Sequence, residues 1–215
     1  MKTYALALGA LSLTLGGCLG APEPVVLPDD DIAAARTCFV AQGLVLRDGR
    51  SESDPITFDE FASSMKYALV AAANTEPFST EKVSEVFTGT DPVADEISGM
   101  DYEGAIATCD ARFGIDTSVN LPDEDKDAVL SCLSLAAFMQ GAAQSQVADF
   151  GADGNTVGPL FERLQARMTS DPDILVAMIG GDVEAMMMDA TKSAFAEGAP
   201  REYIDACAAR FPAEG

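Results

Sequence analysis

Apolar residues recur along this chain at intervals of three and four, the period of a helix buried on one side. Phe58, Phe61, Ala62, Met65, Leu69 and Ala72 fall on one such face. Val129, Cys132, Leu133, Ala136 and Val147 form a second, widened by Leu130, Ala137 and Phe138. Ile204, Cys207, Ala208 and Phe211 form a third. No stretch sustains a two-residue alternation between turn signals, so little sheet is expected. The pattern predicts an all-α fold. Helices are expected near 30–46, 57–74, 79–87 and 100–113, then near 123–148, 157–169, 172–196 and 199–211, the seventh interrupted at Gly180-Gly181. Gly- and Asp-rich joints lie between them, notably Gly49 to Pro55 and Asp149 to Gly158.

The helix starts reveal a repeat. Leu27-Pro28-Asp29-Asp30-Asp31 precedes Cys38, and Leu121-Pro122-Asp123-Glu124-Asp125 precedes Cys132. Both read as acidic first turns capped at the first or second acid. Ile106 to Phe113 reads I-A-T-C-D-A-R-F and Ile204 to Phe211 reads I-D-A-C-A-A-R-F, each ending in a breaker, Gly114 or Pro212. The matches come in the same order at nearly the same offset. We therefore expect two tandem, internally duplicated four-helix modules, residues 29–115 and 121–212.

Cysteines are the natural staples of such modules in an exported chain. Cys38 with Cys109 and Cys132 with Cys207 gives one disulfide per module, joining its first and last helices. In an up-down-up-down bundle those helices are antiparallel neighbours. Arg112 lies one turn after its cysteine and Asp31 two turns before its own, so the two should meet. Arg210 and Asp125 should repeat that pair.

The chain opens differently. Met1 and Lys2 precede the apolar run Ala5 to Leu15, too short to span a membrane comfortably and typical of a signal-peptide core. The run ends in Leu15-Gly16-Gly17-Cys18, a tetrad that resembles a bacterial lipobox. That resemblance implies cleavage before Cys18 and its acylation: residues 1–17 a signal peptide, 18–28 a Pro-rich extended tether, and the body on the periplasmic side of a cell envelope. An ordinary secretory signal cut near Gly20 or Ala21 is the alternative.

Composition narrows the chemistry. Thirty-five acidic residues oppose 13 basic ones, a net charge of −22 that repels nucleic acid and anionic lipid, leaving the lipid anchor as the expected membrane attachment. Histidine is absent, which removes the commonest general base, the Ser-His-Asp and Cys-His arrangements, and the commonest metal ligand. Met178, Met186, Met187 and Met188 suggest soft-metal ligands, but successive helical residues point about 100° apart and cannot converge. Asp149 to Asn155 has the flavour of a calcium loop, yet the twelfth position is Leu160 where a glutamate is needed. Paired carboxylates among 35 acids carry little information. No glycine-rich loop follows a strand. The expectation is therefore a non-catalytic envelope lipoprotein, without metal or cofactor, that binds an envelope protein or small molecule or serves a structural role. The alternatives are a periplasmic hydrolase working through carboxylates alone, and a carrier using a cleft between the modules.

Overall fold

The structure, a computed structural model, describes residues 21–51, 54–145 and 157–213. Among these residues it is helical, with ten helices and no strand. In chain order they are α1 (Asp31–Arg47), α2 (Phe58–Ala73), α3 (Glu81–Phe87), α4 (Thr90–Ile97) and α5 (Tyr102–Phe113), then α6 (Asp125–Ser145), α7 (Gly158–Ser170), α8 (Pro172–Gly180), α9 (Val183–Ala196) and α10 (Pro200–Arg210).

Local chemistry sets these boundaries. The Asp30 carboxylate accepts from the Ala33 amide at 2.8 Å, capping α1. Thr57 and Glu60 form a reciprocal capping box on α2. Asp101 caps α5 through the Gly104 amide, and Gly114 ends that helix in the left-handed region at φ 60°. Asp171 and Asp182 cap α8 and α9. Pro172 and Pro200 occupy first-turn positions, where a missing N–H costs nothing.

Both disulfides are present: Cys38–Cys109 with Cα atoms 5.7 Å apart, and Cys132–Cys207 at 5.8 Å. Each joins the first helix of its half to the last. Those helices run antiparallel. The start of α1 meets the end of α5, where Arg112 donates to the Asp31 carboxylate and the Asp29 carbonyl, both at 2.8 Å. The start of α6 meets the end of α10, where Arg210 donates at 2.8 Å to the Asp125 carboxylate and the Asp123 carbonyl. Leu27 and Leu121, eleven residues before their cysteines, both pack against the core.

Several expectations are revised. Each half holds five described helices where four were expected. Gly89, in the left-handed region at φ 78°, ends the third-helix segment, and a separate helix of 8 residues, α4, follows it. The interruption expected at Gly180-Gly181 is present and divides the 172–196 segment into α8 and α9, parted at the extended Gly181 (ψ 175°). The stretch expected as a free tether lies on the body from Glu23 onward: the Asp101 amide donates to the Glu23 carbonyl at 2.8 Å, and Val25 and Leu27 pack inward. Residues 1–20, with Cys18, lie outside the described residues, as do Val147 and Asp149 to Asn155.

The two halves share one core. Helix α2 is buried almost all round, from Tyr67 through Ala73 without a break. It packs on α1 and α3 of its own half and on α9 and α10 of the other. Phe78 and Phe138 meet Phe195 edge-on, at ring distances of 5.9 and 4.9 Å. Arg201 pairs with Asp59 at 3.1 Å, and Lys192 with Glu76. Gly198 sits at the junction at φ 67°, where a Cβ would come within 2.8 Å of Val70 and 2.9 Å of Ile115. The junction is thus filled by side chains. Its hollow beside Lys66, Ile115 and Gly198 measures about 80 Å³, well below the roughly 300 Å³ from which small-molecule sites begin.

Candidate functional site

Six consecutive apolar residues, Ile174 to Ile179, form most of α8. Six residues turn through about 600° of helix, so they cannot all face one neighbour. Ile174 is buried and Ala177 and Met178 half-buried, which seats the helix on α7. The rest is left over. Val176 is 70% exposed and Ile179 is 86% exposed, with Leu175 and Val183 beside them. Exposed large hydrophobics are otherwise sparse among the described residues, Val26 being the other example.

The face has relief and charge. A hollow of about 480 Å³ lies on one side of α8, with Leu130, Ala177, Met186 and Ala190 among its walls. A second, of about 400 Å³, adjoins Val176 and Ala177 and is lined by Glu124, Asp125, Asp171 and Asp173, with Lys126 as the one cation. Asp182, Glu184 and Asp189 are exposed further along α9. The result is an apolar ridge between hollows, rimmed by acid. Met186, Met187 and Met188 are half-buried on α9, and Met186 serves as hollow wall.

A groove of about 600 Å³ has the opposite sign. Arg163 and Arg167 of α7 and Arg210 of α10 line it with Phe211, Ser170 and Pro212, and no acidic residue lines it. Arg167 and Arg210 lie over the Phe211 ring, 5.2 and 5.8 Å from its centre. Asp125 stands behind them, bonded to Arg210 and to Arg167 at 2.8 Å each. The Arg210 bond first, and the charge of both guanidiniums, hold the Asp125 carboxyl below its usual range.

A third polar group lies within the first half. Asp110 Oδ1 accepts from Lys66 Nζ and from the Tyr67 hydroxyl, both at 2.8 Å. Tyr67 is fully buried, and burial first, then the bond to the Asp110 carboxylate, drives its pKa far upward. Its hydroxyl keeps its proton and acts as a structural donor. Tyr203 repeats the theme against Ser131 Oγ at 3.0 Å, its pKa also raised chiefly by burial.

Among the described residues three carboxyls are clearly displaced, Glu60, Asp116 and Asp125, and each moves down. Glu60 falls to about 2, through its hydrogen bond from Arg50 and then that from the Thr57 amide. Among the described residues no three Cys, Asp or Glu side chains are grouped to hold a metal ion.

Of the residues singled out in the sequence, the structure brings together Cys38 with Cys109, Cys132 with Cys207, Asp31 with Arg112 and Asp125 with Arg210. Cys18 lies outside the described residues. The sequence reading missed the α8 face, whose signal was an apolar run with no polar side. It also missed Arg163 and Arg167, one turn apart on α7. Comparison with known protein families, curated proteins and solved structures finds no match to this chain.

Proposed function

We propose that this protein is exported, anchored by a lipid on Cys18 to a bacterial cell envelope, and holds a partner protein on the exposed face of α8 without catalysing a reaction. The observation that carries the binding role is the pair Val176 and Ile179, large apolar side chains left 70% and 86% exposed on a strongly acidic body. Such a patch, rimmed by charge, marks an interaction surface. Charge selects the occupant. A second copy would set acid against acid at the rim, and each copy carries −22. An anionic bilayer would be repelled likewise. The surface that fits is a protein with an apolar centre and a basic rim, its lysines or arginines meeting Asp171, Asp173 and Asp182.

Export draws support from the start of the chain and from four cysteines joined as two disulfides. Among the described residues no helix is long and apolar enough to cross a membrane. The same reading includes an ancestral duplication of residues 29–115 and 121–212. The matched Arg112 and Arg210 bonds, down to the carbonyls of Asp29 and Asp123, support it.

A photocrosslinker at Val176 tests the binding role. The protein joined to it in envelope fractions is purified, and its affinity for the full chain and for Ile179→Ser is measured. The reading requires a loss of at least about tenfold, the equivalent of roughly 1.4 kcal/mol. Equal affinity would sink it. Intact mass with and without reduction tests the anchor and the disulfides.

A further inference from the structure

The three-arginine groove is an anomaly in a chain with 13 basic and 35 acidic residues. Structural need does not explain it. In the first half, Arg112 alone ties the helix ends together, and Asp31 has no second cation among the described residues. In the second half Arg210 makes the same bonds, and the Pro122 carbonyl accepts from it as well. Arg167 and Arg163 are therefore surplus to that staple. Both are nonetheless held in place. Arg167 is bonded to Asp125 and lies over Phe211; Arg163 donates to the carbonyls of Phe211 at 3.2 Å and Pro159 at 3.0 Å.

We propose that this groove binds an organic oxyanion, a carboxylate or phosphate carried on a planar or apolar body. Guanidinium N–H pairs match both oxyanions in geometry, and arginines already fixed from behind lose little freedom on binding. Of the five N–H donors of Arg167, one bond to protein is made, to Asp125; Arg163 uses two. The remaining donors are available to a ligand in the groove. Phe211 and Pro212 supply the wall for the ligand's apolar part. Asp125 leaves a net positive charge because it neutralises one of the three guanidiniums. A volume of about 600 Å³ suits a small molecule. This site is separate from the α8 face and does not depend on it.

The test uses the full chain with its disulfides intact, titrated at low salt with phenyl phosphate, benzoate, inorganic phosphate and benzamidine. Calorimetry measures affinity, and amide chemical shifts locate the site. The two aromatic anions should bind saturably at one site, more tightly than inorganic phosphate, and should shift Arg167, Ser170 and Phe211. Benzamidine should not compete. Arg163→Gln with Arg167→Gln should weaken binding at least about tenfold, while Arg210 keeps the staple. Arg167→Lys, which preserves charge but not the planar fork, should also weaken it and guards against a folding artefact. The proposal is overturned by no saturable binding, by shifts confined to other surfaces, by unchanged affinity in the double variant, or by competition from benzamidine. A weak response to inorganic phosphate alone would mean an adventitious ion site and would overturn it too.

Discussion

Removing one disulfide tests the architecture most directly. The Cys132–Cys207 bridge closes a loop of 75 residues and Cys38–Cys109 one of 71. By the chain-entropy relation each is worth about 4.4 kcal/mol at 25 °C, through its restriction of the unfolded chain. The loops do not overlap, so the two contributions should add to roughly 9 kcal/mol, a large part of the roughly 5–15 kcal/mol typical of a domain. The shared core makes a further demand. Helix α2 packs on both halves, so losing either bridge should lower the stability of the whole chain. The double substitutions Cys38→Ala with Cys109→Ala, and Cys132→Ala with Cys207→Ala, should each shift urea unfolding to lower concentration as a single transition. Circular dichroism reads the helices, and tyrosine fluorescence reads Tyr67 and Tyr102 in the first half and Tyr203 in the second. Coincident curves are expected. Two separated transitions, one per half, would refute the shared core. A loss below about 1 kcal/mol for either pair would refute the entropic estimate.

Other outcomes follow from single contacts. Gly198→Ala should destabilise more than Gly114→Ala: both residues have positive φ, costing about 1 kcal/mol, but only at Gly198 would the new methyl strike Val70 and Ile115. Thermal melts of the two variants decide this. Tyr67→Phe should cost about 1.5–3 kcal/mol, because its hydroxyl bonds a carboxylate, and Tyr203→Phe about 0.5–1.5 kcal/mol, because its partner is Ser131; equal losses in urea would contradict the assignment. Glu60 is depressed from 4.5 to about 2, so its stabilisation is present above pH 4.5 and is lost as pH falls toward 2. Glu60→Gln should flatten the stability profile across that window, and an unchanged slope would refute the coupling. Ile179→Ser, at an exposed site, should change folding stability by no more than about 0.5 kcal/mol.

What was legible in the sequence is what depends on neighbours along the chain. Asp30 as a cap, Gly114 as a stop and the break at Gly181 are local events. The pairs Arg112–Asp31 and Arg210–Asp125 are long-range, but a disulfide on antiparallel helices fixes their register. The Asp125–Arg167 bond comes from a helix with no such constraint and left no mark. Helix α2 was read as having one apolar face. The run Ala68-Leu-Val-Ala-Ala-Ala73, apolar on every side, was the sign of a helix enclosed by both halves. For α8 the same sign, six apolar residues in succession, has the opposite outcome, because none of the described residues covers Val176 and Ile179. Periodicity cannot separate those cases; only the positions of the other helices can. The sequence is silent on the three-arginine groove because it assembles from α7 and α10, whose Arg167 and Arg210 lie 43 positions apart.

The hydrogen bond at Glu23 carries a last consequence. It pins the N-terminal strand of chain where α5 begins. With Cys18 acylated, the span from the lipid to that pin is five residues, at most about 18 Å even when drawn straight. On the proposed reading, so short a leash would keep the body beside the bilayer, and a partner held on α8 would be drawn to the membrane.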